Sequence, residues 1–314
     1  MRRASDYGIK ISLSTNGTLI TRDWALKLRE LGVQYIGISI DSPIPELHDR
    51  IRGGVSGAWS LAIRGIKNVM EVGIPVGIRT TVTRLNIDRA TEIVELAHRL
   101  GISRVAFYHL VPSGRGGRGG IIDLLPSPDQ LLRFLIKLIE VARNYPDVEV
   151  LTVDNPADGV VASLLTSNDE DEFMGKLRLV SRMGACSAGR KVMSIYPPNG
   201  DVYPCQFFND KPMGNVRKER LTEIWLRPKE NTELVIRLRE RNYGDSPCMR
   251  CPYLGGYCGG CRVRAEVLNS DVWSMDPLCT MNSLLRLWRL GEIELKPWQI
   301  RIMKNFEEVL KTHG

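Results

Sequence analysis

A change of period that recurs along the first half of the chain is what most limits its fold. Short β-branched runs, "IKISLS" (9–14), "VQYIGISI" (33–40), "PVGIRTTVT" (75–83) and "SRVAFYHL" (103–110), alternate with stretches of helical period. Those stretches are "TRDWALKLREL" (21–31), "AWSLAIRGIKNVMEVG" (58–73), with Gly73 as its stop, and "DRATEIVELAHRLG" (88–101). A helix over "PDQLLRFLIKLIEVARN" and a strand over "VEVLTV" close the series. Strands separated by helices of ten or more residues build βαβ units, hence a parallel sheet or barrel of the α/β class. In such folds ligands gather at the C-terminal ends of the strands. Thr15, Asn16, Ser39, Asp41, Thr83, Asn86, His109 and Ser113 fall at or just beyond those ends.

The texture changes in the second half. The acidic "TSNDEDEF" (166–173) reads as a surface loop and a boundary. "KVMSIYPPNGDVYPCQFF" reads as a hairpin about Asn199-Gly200, followed by short helices over "LTEIW" and "ENTELVIRLRER" and a last helix from Pro297. The expected organisation is a partial barrel over 1–165, a cysteine-rich domain over 175–290 and a C-terminal helix over 291–314. The loop "PSGRGGRGG" (112–120) lacks the G-x-x-x-x-G-K of a phosphate cradle. It reads as a mobile loop, or a place of close backbone approach to a ligand.

Every cysteine lies in that second half: Cys186, Cys205, Cys248, Cys251, Cys258, Cys261 and Cys279. Two C-x2-C pairs six residues apart, with glycines at 255, 256, 259 and 260, put four thiolates within reach of one another. This is soft-metal spacing. Zinc held by four thiolates is one reading, and it leaves three cysteines unused. Two iron–sulfur clusters, one with four cysteines and one with three, use all seven, and the second would keep an iron open for another ligand. An odd cysteine count without an apolar leader argues against a disulfide framework and for a soluble, cytoplasmic protein. The net charge of +7 is spread along helices that also carry acids. It reads as solvated faces rather than a nucleic-acid surface, and no run of eighteen apolar residues marks a membrane span.

With these motifs in view, the chain resembles a radical SAM enzyme with a C-terminal SPASM-type (twitch-like) auxiliary-cluster domain. Cys186, Gly200 and Cys205 match the opening of the SPASM motif. The later box and Cys279 match its second half, with internal intervals of six and two where five and three are commonest. "STNGTLI", "GISIDSPIPELHDRIRGG" and "IRTTVTRLN" resemble the third to fifth strands of the radical SAM barrel. "HLVPSGRG" with "CGGCRVRAE" is closer to the subgroup that modifies tetrapyrrole side chains in haem and haem d1 biosynthesis. The resemblance implies one [4Fe–4S] cluster on Cys248, Cys251, Cys258 and Cys279, and another on Cys186, Cys205 and Cys261. It also implies contacts to S-adenosylmethionine from Ser39 and Arg52, with adenine packing at Leu110 or Val111; an ordinary ion pair is the other reading of Arg52. The implied substrate is a tetrapyrrole, or else a peptide or partner enzyme under maturation, with a low-potential electron donor such as ferredoxin.

One departure bears on activity. The family's C-x3-C-x2-C after the first strand, which holds the third, SAM-cleaving [4Fe–4S] cluster, is absent, as are the first two βα units. The expectation is a start upstream of Met1, with a remnant, a split enzyme or a non-catalytic electron carrier as alternatives. By itself this chain is expected not to cleave S-adenosylmethionine, and its radical oxidoreductase or lyase chemistry belongs to a complete form.

Overall fold

The computed structural model describes residues 1–114, 121–183 and 185–311. By compactness the chain divides into two units, one of residues 1–110, 124–126 and 133–153, the other of residues 111–123, 127–132 and 154–314.

In the first unit a short helix α1 (Arg2–Asp6) precedes β1 (Ile11–Thr15), α2 (Arg22–Glu30) and β2 (Val33–Ser39). Then follow α3 (Pro45–Ile51), α4 (Ala58–Glu71), β3 (Val76–Val82), α5 (Ile87–Ala90), α6 (Glu92–Leu100) and β4 (Arg104–His109). Helix α7 (Pro128–Asn144) leads to β5 (Glu149–Val153). The five strands are all parallel and lie in chain order, β1-β2-β3-β4-β5, so the fold is α/β as the alternation predicts.

Register sorts the strand residues onto two faces. Ile36, Ile38, Ile78, Thr80, Val105 and Phe107 share one face and are wholly or nearly wholly buried. Helices α4 and α6 bury Ile63, Ile66, Val69, Ile93 and Val94, the matching apolar stripes. The opposite face carries Ser12, Ser14, Tyr35, Ser39, Arg79, Thr81, Arg104, Tyr108 and Glu149. A parallel sheet covered on both faces reads as continuous apolar runs; alternation of this kind keeps one face for polar contacts. Gly37 and Gly77 make room on that face, since a Cβ at Gly37 would overlap the Arg79 side chain and one at Gly77 the Tyr35 hydroxyl. Arg79 lies over the Tyr108 ring at 4.2 Å, and Arg104 over Tyr35 at 5.5 Å.

One helix was not anticipated, and one local expectation is corrected. The stretch after β2 forms helix α3, started by Pro45 at its first position. Its Asp49 accepts from the Gly57 and Trp59 amides and so caps α4. The acidic "TSNDEDEF" is a loop only over residues 167–169, between α8 (Ala157–Thr166) and α9 (Glu170–Met183); its remaining acids start α9. Asp169 accepts from the Glu172 amide at 2.9 Å while Glu172 accepts from the Asn168 amide at 2.8 Å, a capping box. Acids in a first turn also suit the helix dipole, which is why this charge run folds.

The second unit adds a three-stranded antiparallel sheet, β6 (Ser194–Tyr196), β7 (Asp201–Tyr203) and β8 (Gly214–Asn215). The β6–β7 hairpin turns through Gly200, at φ +85°, as its sequence predicts. Helices α10 (Leu221–Leu226), α11 (Thr232–Glu240), α12 (Arg262–Asn269), α13 (Thr280–Arg289) and α14 (Pro297–Lys311) follow. Helix α8 anchors several of them. The Asp158 carboxylate accepts from Thr280 Oγ1 at 3.0 Å, and the Leu164 carbonyl accepts from Gln299 Nε2 at 2.8 Å. Among the described residues no helix is long and apolar enough to cross a membrane.

Candidate metal centre

The cysteine box begins where α11 ends. Ser246 Oγ accepts from the Cys248 amide at 3.3 Å and starts a single 3-10 turn, Pro247–Arg250. The Cys248 carbonyl accepts from the Cys251 amide at 3.1 Å, and the Tyr253 carbonyl from the Cys258 amide at 2.8 Å. Gly259 (φ +147°) and Gly260 (φ +60°) then turn the backbone, and α12 starts directly after Cys261. Asp276 holds the far side. Its carboxylate accepts from the Cys261 amide at 2.7 Å and the Leu278 amide at 3.0 Å, and its carbonyl from the Cys279 amide at 3.0 Å. Arg264, fully buried, pairs with this carboxylate at 2.6 Å. Burial works to raise the Asp276 pKa, but the guanidinium and the amides outweigh it and hold the carboxyl below its ordinary range. One buried acid thereby fixes two cysteine segments that lie far apart in sequence.

All seven thiols are unpaired and partly buried, and electrostatic proximity sorts them into two groups. Cys251, Cys258 and Cys279 each feel Cys248. Cys205 and Cys261 each feel Cys186, and these three pack against one apolar cluster that includes Val111, Phe208 and Val263. The Gly189 amide donates to the Pro204 carbonyl at 2.7 Å, tying the Cys186 segment to that of Cys205. Tyr243 feels both Cys186 and Cys248, and a Cβ on Gly259 would stand 2.9 Å from its hydroxyl. Among the described residues no three His, Cys, Asp or Glu side chains converge on the position of a single metal ion.

The chemistry of the donors fits iron–sulfur ligation. Burial pushes Cys205 and Cys251 up to about 11, and Cys258 and Cys261 up to about 12; Cys279 is also raised by burial. Backbone N–H groups nonetheless aim at the sulfurs, from Phe207 and Phe208 at Cys205 and from Tyr253 and Leu254 at Cys251. Gly259 and Gly260 do the same at Cys258. N–H···S donors support bound thiolates and help set cluster potentials. Without metal, desolvation prevails and the thiols stay protonated near pH 7.

Beside Tyr243 the surface opens into a cavity of about 600 Å³ lined in part by Arg237, Asp271, Trp273 and Asn282. Tyr243 stacks on Trp273 with centroids 5.8 Å apart, and Arg237 covers the outer face of Trp273 at 3.9 Å. Sequence reading missed this stack, because its members are scattered over 237–273 and carry no motif.

The residues expected near S-adenosylmethionine are placed as follows. Ser39 ends β2 on the polar face. Arg52 ends α3 and pairs with the buried Asp41 at 2.6 Å. Asp41 in turn accepts from the Thr81 amide, its carbonyl accepts from Asn86 Nδ2, and its amide donates to His48 Nδ1. Arg52 is thus half of an ion pair that braces the C-terminal rim of the sheet. Leu110 follows β4 half-buried, and Val111 is buried in the apolar cluster of the three-thiol group. Ser113 Oγ donates to the Phe207 carbonyl at 2.6 Å; residues 115–120 of the glycine-rich loop lie outside the described residues. Arg79, on the same sheet face as Ser39, was not singled out in the sequence, although its place at an alternating position of "GIRTTV" is the signal that marks it.

Comparison with known proteins gives the chain a family. The model of the radical SAM superfamily matches residues 1–97, and that of an iron–sulfur cluster-binding domain, SPASM, matches residues 186–252. The chain is 37% identical over 288 residues to Fe-coproporphyrin III synthase of Methanosarcina barkeri, covering 88% of this chain and 70% of that one. It is 30% identical over 289 residues to pre-heme d1 synthase of Dinoroseobacter shibae, covering 90% and 70%. Among solved structures, anSMEcpe with bound AdoMet and a peptide superposes with a TM-score of 0.65 at 20% identity, over 96% of this chain and 79% of that one. The chain belongs to the radical SAM superfamily, in the branch that carries a SPASM iron–sulfur domain. Its relatives include enzymes of haem-type biosynthesis, as the motifs imply.

Proposed function

We propose that this chain supplies the substrate-facing sheet and the auxiliary iron–sulfur domain of an enzyme that modifies a tetrapyrrole side chain. The observation that carries the cofactor reading is the gathering of seven unpaired, partly buried thiols, of which Cys186, Cys205 and Cys261 pack against one apolar cluster. Cys248, Cys251, Cys258 and Cys279 would hold one [4Fe–4S] cluster, and Cys186, Cys205 and Cys261 the other. When bound, such clusters accept or relay single electrons. The chain's own part is structural: Asp276 fixes the Cys261 and Cys279 backbones, and glycines 259 and 260 turn the chain between Cys258 and Cys261. A low-potential donor such as ferredoxin would approach at the cavity beside Trp273. The reducing cytoplasm is the compartment that suits such clusters.

The substrate reading rests on relatives named for Fe-coproporphyrin III and pre-heme d1 synthesis, and on the chemistry of the polar sheet face. Arg79 there offers a guanidinium to a carboxylate, with Ser39 and Thr81 beside it. A peptide substrate is the second reading; the peptide-bound solved structure shares the fold and carries no more than that. Residues 1–185 contain no cysteine.

Anaerobic reconstitution with iron and sulfide tests the cofactor reading. Two four-iron clusters predict about eight irons and eight sulfides per chain, falling by about half in Cys205→Ala or Cys258→Ala. One zinc per chain without labile sulfide overturns it. Titration with iron coproporphyrin, followed through its visible absorption, tests the substrate reading. Saturable binding that weakens in Arg79→Met supports it, and absence of binding to the reconstituted protein refutes it.

A further inference from the structure

Two arginines at the start of α12 are buried to the same extent, Arg262 at 1% exposure and Arg264 at 0%, but their surroundings differ. Arg264 is neutralised. Its Nε donates to Asp276 Oδ1 at 2.8 Å, and its Nη2 donates to Asp276 Oδ2 at 2.6 Å and to the Asp154 carbonyl at 3.0 Å. Arg262 donates through Nη1 alone, to the carbonyls of Val272 at 3.1 Å and Ser274 at 2.7 Å. Its Nε and Nη2 have no hydrogen-bond partner among the described residues, and no carboxylate pairs with it there. One face of the guanidinium lies on the Tyr243 ring at 4.6 Å. Burying a cation without a counter-charge is among the costliest arrangements a fold can hold. Here it is held in place by two carbonyls and an aromatic face.

The position says what the missing anion is. Arg262 follows Cys261 directly, and a Cβ placed on Gly260 would stand 2.6 Å from Arg262 Nη2. Tyr243, beneath the guanidinium, feels the charge of Cys186. Val272, whose carbonyl receives Nη1, packs against the apolar cluster that also gathers Cys186, Cys205 and Cys261. Of the other cations nearby, Arg264 acts on Cys261 but is paired with Asp276, and Arg241, at the end of α11, is only partly buried, so water screens it.

We propose that Arg262 is the counter-charge of the iron–sulfur group bound by Cys186, Cys205 and Cys261, its unpartnered Nε–Nη2 edge reserved for that group. The inference rests on the cluster reading given above. A four-iron core on three thiolates carries net negative charge, and reduction adds to it. A fixed cation beside it therefore stabilises the reduced form and raises the potential. Arg262 is a positioning and tuning residue; it touches no reacting atom.

The test uses the full chain as wild type, Arg262→Met and Arg262→Lys, each metal-free and reconstituted. Iron and sulfide are counted, the midpoint potentials are read by EPR-monitored titration, and thermal melts are recorded. Cys205→Ala identifies which signal belongs to the three-cysteine group. The expected result is a negative shift of that signal alone in Arg262→Met, by about a tenfold change in the reduced-to-oxidised ratio, or about 59 mV for one electron. Arg262→Lys should recover most of it. Arg262→Met should also lower the melting temperature more in the loaded protein than in the metal-free one. Unmoved potentials, a shift confined to the four-cysteine signal, or equal melting losses would each overturn the proposal. If wild type takes up no iron at Cys186, Cys205 and Cys261, the cluster reading itself falls; full loading with an unmoved potential defeats the Arg262 inference alone.

Discussion

A thiol that burial keeps protonated links metal-free stability to pH in a definite direction. Cys205, Cys251, Cys258 and Cys261 have folded values of about 11 to 12, against an ordinary 9.0. As pH rises past 9.0 the unfolded chain releases these protons first, while the folded chain still holds them. Their contribution is therefore complete below pH 9 and is lost as pH climbs towards 11 and 12. Denaturant melts of the metal-free protein from pH 7 to 10 should show stability falling only at the alkaline end. A fall beginning below pH 8 would mean that the thiols are less desolvated than the fold implies. Loading has the opposite linkage, since ligation must expel these protons, so iron uptake should weaken as pH drops from 8 to 6. Asp276→Asn tests the brace beneath the cysteines. It leaves the Arg264 cation buried without its partner, and chemical denaturation should read a loss of about 3–5 kcal/mol.

At the scale of elements, close approach decides what can change. A Cβ on Gly65 of α4 would overlap the carbonyl oxygen of Gly17, backbone that cannot swing aside. Gly65→Ala should therefore destabilise by about 1–3 kcal/mol despite the better helix propensity of alanine, as read by urea unfolding. Asp169→Ala removes one half of the α9 capping box and should cost about 1 kcal/mol in the same assay. The strands and long helices were legible because their periods, 2 and 3.6, persist over whole segments. Helix α3 was not, because its seven residues carry two acids, one arginine and a histidine, and show no apolar stripe. The acidic start of α9 was misread as a loop because charge alone does not separate a solvated turn from a capped helix N-terminus.

At the scale of the molecule, the two units carry separate cores, one beneath the sheet around Ile38, Ile78 and Phe107, the other around Val202, Met213, Ile224 and Val235. Calorimetry of the reconstituted protein should resolve two transitions, and iron removal should lower one and spare the other. A single transition that moves as a whole would show the cores to be coupled. Spacing alone marked the thiols as a metal site but did not say which belong together. Between Cys258 and Cys261, which share a C-x2-C, Gly259 and Gly260 turn the chain and Asp276 draws in the Cys261 amide, so the proposal that they serve different clusters has a local geometry behind it. Nothing local in the sequence encodes the pull of a carboxylate fifteen residues away.

The order of the strands has a consequence for how the protein comes into being. Because each strand of the parallel sheet lies beside the one made just before it, the sheet can grow at a single edge while the ribosome is still working. The seven sulfurs emerge only after all five strands have been made, Cys279 long after Cys186. Any metal that needs all seven sulfurs would then find the sheet already made.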